Sequence, residues 1–172
     1  MERMSATGND GIHVSSLNAL GSVAARLASF DLLTLLSPGH PETDWSGLAC
    51  ERHIRLAFHD VIEPLPGLVA PDRDVMQAIL NFGRAGSNQR AMLIHCWAGI
   101  SRSSAAAFAI ACDRNPGFER EIAAELRRRA PSVTPNRRAA TPGEFARCGS
   151  TPSGGAISGA GGAVSMGLRF SR

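Results

Sequence analysis

The chain has 172 residues, 44% of them hydrophobic and 19% charged, which fits one globular domain and neither a disordered nor a fibrous chain. The net charge is +3, and all 18 basic residues are arginine, with no lysine and no tyrosine anywhere. Schiff-base chemistry on a lysine, a P-loop lysine and a tyrosine base are thereby excluded. An Arg-only, Ala- and Gly-rich composition is also what a GC-rich gene produces. We therefore read most of the arginines as coding bias and surface rather than as a face for nucleic acid.

In chain order, residues 1–11 form an N-terminal extension without the apolar core of a signal peptide. Ile12 to Val14 reads as a short strand, and Leu17 to Ala28 carries Leu20, Val23, Ala24 and Leu27 at helical spacing. Leu32 to Leu36 is an apolar run stopped by Ser37-Pro38-Gly39, which suits a buried strand ended by a turn. A polar loop, His40 to Ala49, leads to an alternating strand over Arg52 to Phe58. His59 to Pro71 contains three prolines and a glycine and is a long loop. Asp72 to Phe82 has helical spacing with acids in its first turn, and Ala91 to Ile94 is a short apolar strand. Ser103 to Cys112 is a nearly all-apolar helix. Glu119 to Arg129 is another, with acids early and arginines late, the order its dipole prefers. Asn136 is placed to cap a last short helix.

Strands and helices alternate, so the predicted class is α/β: three layers, with a central, mainly parallel sheet flanked by helices. The domain spans 12–140. In residues 141–172, eight of 32 positions are glycine and five are serine, with no periodicity, which predicts a disordered tail. No apolar run approaches the roughly 20 residues of a membrane span. Cys50, Cys96, Cys112 and Cys148 show neither CxxC pairing nor regular spacing, which argues against zinc and against a disulfide framework. A reduced, cytoplasmic monomer with no membrane contact is the expectation.

The stretch with chemistry in it runs from Met92 to Ser104. An apolar strand ends at His95-Cys96; a loop of Trp97, Ala98, Gly99, Ile100 and Ser101 follows; then come Arg102, Ser103 and a helix. A strand, a tight loop and a helix N-terminus bring backbone N–H groups together into an anion nest. Gly99 supplies the positive φ that such a loop often needs. A cysteine at the base of the nest has its thiolate stabilised by the positive field. Arg102 offers a guanidinium fork that can grip two oxygens of one phosphate, which a lysine cannot do. The side chain of Trp97 faces either substrate or core, and the sequence leaves both open.

His95-Cys96-x5-Arg102-Ser103 resembles the signature of the cysteine-dependent protein tyrosine phosphatases, His-Cys-x5-Arg-Ser/Thr. The element order resembles the small dual-specificity and bacterial members over roughly 12–140. The resemblance implies a general acid on a loop some thirty-odd residues upstream of the cysteine. Asp60, 36 positions before Cys96, is the first candidate and Glu63 the local rival. Phe58-His59-Asp60 stands where the larger members have Trp-Pro-Asp.

The family mechanism then implies attack by Cys96, a phosphocysteine intermediate and protonation of the leaving group by Asp60. Arg102 and the amides of 97–102 hold the phosphate, Ser103 assists departure of the thiolate, and His95 positions the loop. No cofactor or metal is expected, and the substrate is a phosphorylated protein or peptide. Three alternatives stay open: a phosphatase for phosphoinositides or nucleotides, a rhodanese-like sulfurtransferase and a non-catalytic phosphoprotein-binding module. The uncharged loop side chains disfavour a phosphoinositide.

Overall fold

A computed structural model describes residues 11–87 and 89–140, so residues 1–10 of the expected extension and the whole expected tail lie outside the described residues. The elements are β1 (Gly11–Ser16), α1 (Leu20–Ala24), β2 (Phe30–Leu36), β3 (Cys50–Ala57), α2 (Arg73–Ala85), β4 (Ala91–Cys96), α3 (Arg102–Arg114) and α4 (Glu119–Arg129). The strands form one sheet in the order β1-β4-β2-β3, and every neighbouring pair is parallel.

Burial explains the composition of each strand. β2 and β4 are central and buried along their whole length, so Phe-Asp-Leu-Leu-Thr-Leu-Leu and Ala-Met-Leu-Ile-His-Cys read as nearly continuous apolar runs. β3 lies at the edge, and its alternating pattern with Arg52 and Arg55 is what a partly solvated, charge-protected edge strand requires. One sheet face carries Ile12, Val14, Leu33, Leu35, Met92 and Ile94 against α2, α3 and α4. The other carries Phe30, Leu32, Ala91 and Leu93 against α1 and Leu27, with Trp45 and Leu48 of the loop before β3 packed on them. The α/β layering follows the sequence reading, with the helices distributed three to one.

Two helical expectations are corrected. The helical spacing from Leu17 to Ala28 yields only Leu20–Ala24. Beyond it the bonds tighten to Arg26 N–Val23 O and Leu27 N–Ala24 O, a three-residue spacing that does not propagate far. Asn136 caps a single turn rather than a helix: its Oδ1 accepts from Arg138 N and Ala139 N, and its carbonyl from Ala140 N.

Asp31, 1% exposed, is a charge buried at the start of β2. It is compensated by Arg52 of β3 and by Arg90 just before β4, each 3.0 Å away. The ion pairs tie β2 to elements on both sides. α2 opens on Asp72, whose Oδ1 accepts from Val75 N at 2.9 Å as an N-cap. α3 packs closely because it is rich in alanine and because Gly83 of α2 leaves space for Ile110. No helix among the described residues is long and apolar enough to cross a membrane.

Candidate active site

β4 is an inner strand of a parallel sheet, and its carboxyl end points the chain into the kind of crevice where open α/β sheets bind ligands. Cys96 is the last residue of β4 and is 2% exposed. Its Sγ receives the N–H of Gly99 at 3.2 Å and lies 3.2 Å from Ser103 Oγ on the first turn of α3. Gly99 has φ +73°, and a Cβ there would sit 2.6 Å from Ser16 N and 2.8 Å from Ser15 C. The loop thus turns back over the end of β1, at a distance only glycine permits.

The outer side of the loop is tied down through its carbonyls. Trp97 O accepts from Leu17 N, Ile100 O from Thr134 N and Ser101 O from Asn136 N. The N–H groups of Ala98, Ile100, Ser101 and Arg102 meet no acceptor among the described residues. Ser101 holds the N-cap position of α3, yet its side chain does not cap the helix. The open donors and the N-terminus of a 13-residue helix make a site for a tetrahedral anion.

Arg102 is 6% exposed. Nη1 donates to Phe58 O at 2.8 Å and to Ser37 Oγ at 3.2 Å, and the guanidinium lies 6.0 Å from the Phe58 ring centroid. Nε is buried with no hydrogen-bond partner among the described residues. One arm of the fork is anchored; the Nε side is left for a ligand.

Asp60 sits on the exposed loop after β3. Its Oδ1 accepts from Ser101 Oγ at 2.8 Å and from Asn136 Nδ2 at 2.7 Å. His59 pins this loop at its far end: Val69 N donates to His59 Nδ1 at 2.8 Å and His59 N to Val69 O at 2.7 Å. Arg138 Nε donates to Pro71 O at 2.7 Å. Asp60 and the rival Glu63 both line an open groove of 780 Å³, with Ile62, Leu65, Pro135 and Arg137. Among the described residues, only Asp60 of the two carboxylates bonds the cysteine loop.

His95 is fully buried, and burial pushes its pKa down to about 4, with a weaker opposing pull from the Cys96 backbone. It is therefore a neutral imidazole near pH 7. Its Nε2 lies 2.8 Å from Thr34 Oγ1 on β2, while Nδ1 makes no hydrogen bond of good geometry among the described residues. The anchoring expected toward the loop runs sideways into the sheet. Trp97 is 61% exposed, its ring in edge contact with His40 at 5.5 Å between centroids, which places it at the rim rather than in the core.

The structure brings Cys96, Arg102, Ser103, the loop 97–101 and Asp60 together. Sequence reasoning missed Thr34 and gave Asn136 only a capping role. An asparagine within a loop carries no signal of what lies across the fold from it. Cys50 and Cys96 are free thiols, and among the described residues no group of three or more His, Cys, Asp or Glu side chains can hold a metal ion.

No family model matches the chain, and no curated protein does. Solved structures do match. The human tyrosine phosphatase-like serine/threonine/tyrosine-interacting protein is 17% identical, with a TM-score of 0.58 over 76% of this chain and 86% of that one. Tk-PTP in its active form is 22% identical, with a TM-score of 0.49 over 80% and 92%. DUSP15 is 16% identical, with a TM-score of 0.49 over 76% and 78%. At 17% identity the first likeness speaks to architecture, and the architecture of this chain is the tyrosine phosphatase-like fold.

Proposed function

We propose that the chain is a phosphomonoester hydrolase acting on phosphorylated proteins through a phosphocysteine. The observation that carries this reading is Arg102: a buried guanidinium fixed through Nη1, with Nε unpaired, beginning the helix that carries Ser103. Such a donor calls for an oxyanion. The atom it would present that oxyanion to is Cys96 Sγ.

Cys96 Sγ attacks phosphorus in line and the P–O bond to the leaving group breaks. Asp60 gives its proton to the departing oxygen, with Oδ1 held by Ser101 and Asn136 and Oδ2 left to carry that proton. Water, deprotonated by Asp60, then cleaves the S–P bond and releases phosphate. Ser103 Oγ donates to the sulfur as it leaves. The loop amides and Arg102 stabilise the charge on the equatorial oxygens in both steps. The uncharged side chains of 97–101, and the Ile62 and Leu65 side chains beside the carboxylates of the groove, suit a peptide better than a polyanionic inositol phosphate. A cytoplasmic, metal-independent monomer belongs to the same proposal.

The test is vanadate-sensitive hydrolysis of p-nitrophenyl phosphate and phosphotyrosine peptides by the full chain, beside inositol phosphates. Cys96→Ser should lose turnover and keep phosphate binding, whereas Arg102→Lys should weaken both. Phosphopeptide binding without turnover in the wild type would replace the enzyme with a binding module. A clear preference for inositol phosphates would overturn the protein substrate.

A further inference from the structure

The imidazole beside the nucleophile belongs to a hydrogen-bonded chain that the proposed chemistry does not use. His95 Nε2 lies 2.8 Å from Thr34 Oγ1, and Thr34 Oγ1 lies 2.9 Å from His53 Nε2. The chain crosses β4, β2 and β3, and joins a fully buried histidine to one exposed at the sheet edge. Trp45 covers His95 edge-on, with 5.7 Å between centroids. A 230 Å³ cavity lined by Thr34, Trp45, His53 and Arg55 opens on this side of the sheet.

A hydroxyl has one hydrogen, so Thr34 can donate to only one of the two rings. Among the described residues the two rings are its only hydrogen-bond partners, so the chain is ordered in one of two directions. With His53 neutral, both directions are open, and in one of them His95 donates from Nε2 to Thr34 and Thr34 donates to His53. That direction leaves His95 Nδ1 as a bare lone pair, and among the described residues Nδ1 has no hydrogen-bond partner of good geometry.

Protonation of His53 leaves one order only. Both of its nitrogens then carry hydrogen, so Nε2 must donate to Thr34, and Thr34 must donate to His95 Nε2. His95 stays neutral, giving up the hydrogen on Nε2 and taking one on Nδ1 by exchange with water. The new Nδ1–H is a donor beside the Cys96 backbone.

We propose that His53 and Thr34 are positioning residues: the protonation state of His53 sets, through Thr34, which nitrogen of His95 carries its hydrogen, and thereby tunes the reactivity of Cys96. The inference rests on Cys96 being the nucleophile of the proposed function. The groups that act on His53 are its own burial and Arg55, which oppose its protonation, and Glu42, which favours it. Arg55, in turn, is held by His40 O, Pro41 O and Glu42, and both Arg55 and His40 disfavour a charge on His95.

The test uses ¹⁵N NMR of the histidine rings and peptide-resolved alkylation of Cys96 by iodoacetamide, on the full chain between about pH 8 and 5. That range stays above the protonation of His95, at about 4. In the wild type, the Nε2–H form of His95 should give way to Nδ1–H as His53 titrates, and the alkylation rate should step by about three- to tenfold, the scale of one hydrogen bond. Thr34→Val and the exposed His53→Gln should remove both responses; the second serves if the first fails to fold. A His95 tautomer unmoved by the His53 titration overturns the proposal, as does a shift that survives in Thr34→Val or an alkylation rate without the step. Neither readout needs turnover. Both responses present in a protein that hydrolyses no phosphoester would therefore uphold the relay and overturn the proposed function.

Discussion

Ser101 Oγ donates 2.8 Å to Asp60 Oδ1, although Ser101 holds the N-cap position of α3, where a serine would ordinarily bond its own helix. One bond thereby does two things: it leaves the helix N-terminus open to an anion, and it draws the loop after β3 onto the cysteine loop. Asp60 and the loop that begins at Cys96 are held together by Ser101, whose side chain a capping role would otherwise have occupied.

Asp60→Ala should slow hydrolysis of phenyl and alkyl phosphates by about 10²–10⁴-fold, the usual worth of a positioned general acid. p-Nitrophenyl phosphate should lose far less, because its leaving group departs without a proton. Steady-state kinetics across a series of leaving groups reads this directly. Equal losses on all of them would remove Asp60 from the acid role and return Glu63 to consideration.

Asn136 is 4% exposed and spends its amide in two directions, donating to Asp60 Oδ1 at 2.7 Å and accepting from Arg138 N and Ala139 N. Asn136→Ala should cost about 1–2 kcal/mol of stability, for a lost cap and a lost side-chain bond. It should also reproduce, in weaker form, the leaving-group dependence of Asp60→Ala. Urea unfolding and the same substrate series separate the two effects. A loss of kcat uniform across leaving groups would confine Asn136 to holding the turn.

The parts of the site that were legible lie close together in the chain. Cys96, Gly99, Arg102 and Ser103 fall within eight residues, and a strand, a loop and a helix can be read from their immediate neighbours. Asp60 was reachable because a strand ends just before it. The partners that fix these groups are not local: Asn136 is 76 residues from Asp60 and Thr34 is 61 from His95. Their pairing depends on the order β1-β4-β2-β3, in which β4 inserts between β1 and β2 after α2 has crossed back. No periodicity encodes that insertion. Asp31 is similar: an acid in an apolar run is explained only once Arg52 and Arg90 flank it.

Gly99→Ala should abolish phosphate binding, and Gly117→Ala should not, although both glycines have positive φ. At Gly117, φ is +90° and no atom of the described residues lies within 4 Å of an added Cβ, so the cost is backbone strain of about 1–2 kcal/mol. At Gly99 the same strain adds to a collision with the backbone of Ser15 and Ser16, which cannot rotate away. The N–H that reaches Cys96 Sγ must then move. Thermal unfolding of both variants with and without saturating phosphate should show ligand stabilisation retained in Gly117→Ala and lost in Gly99→Ala. Retention in both would mean that the loop tolerates displacement at its tightest contact.

His95 makes stability depend on pH. In the unfolded chain its imidazole binds a proton near the ordinary 6.5, whereas in the folded protein burial delays protonation to about 4. Between these values the unfolded state holds more protons, so folding stability is full above 6.5, falls as pH drops through that window and levels off below about 4. The 2.5 units between 6.5 and about 4 correspond to about 3 kcal/mol. Urea midpoints measured across the range should show this slope in the wild type and a flatter one in His95→Gln, which keeps a polar group opposite Thr34 and has no proton to bind. The carboxylates, Asp31 among them, are present in both proteins, so the difference between the two curves isolates the histidine. Parallel curves would mean that His95 takes up its proton at the same pH in the fold as in the unfolded chain, and the depressed pKa of the buried ring would have to be abandoned.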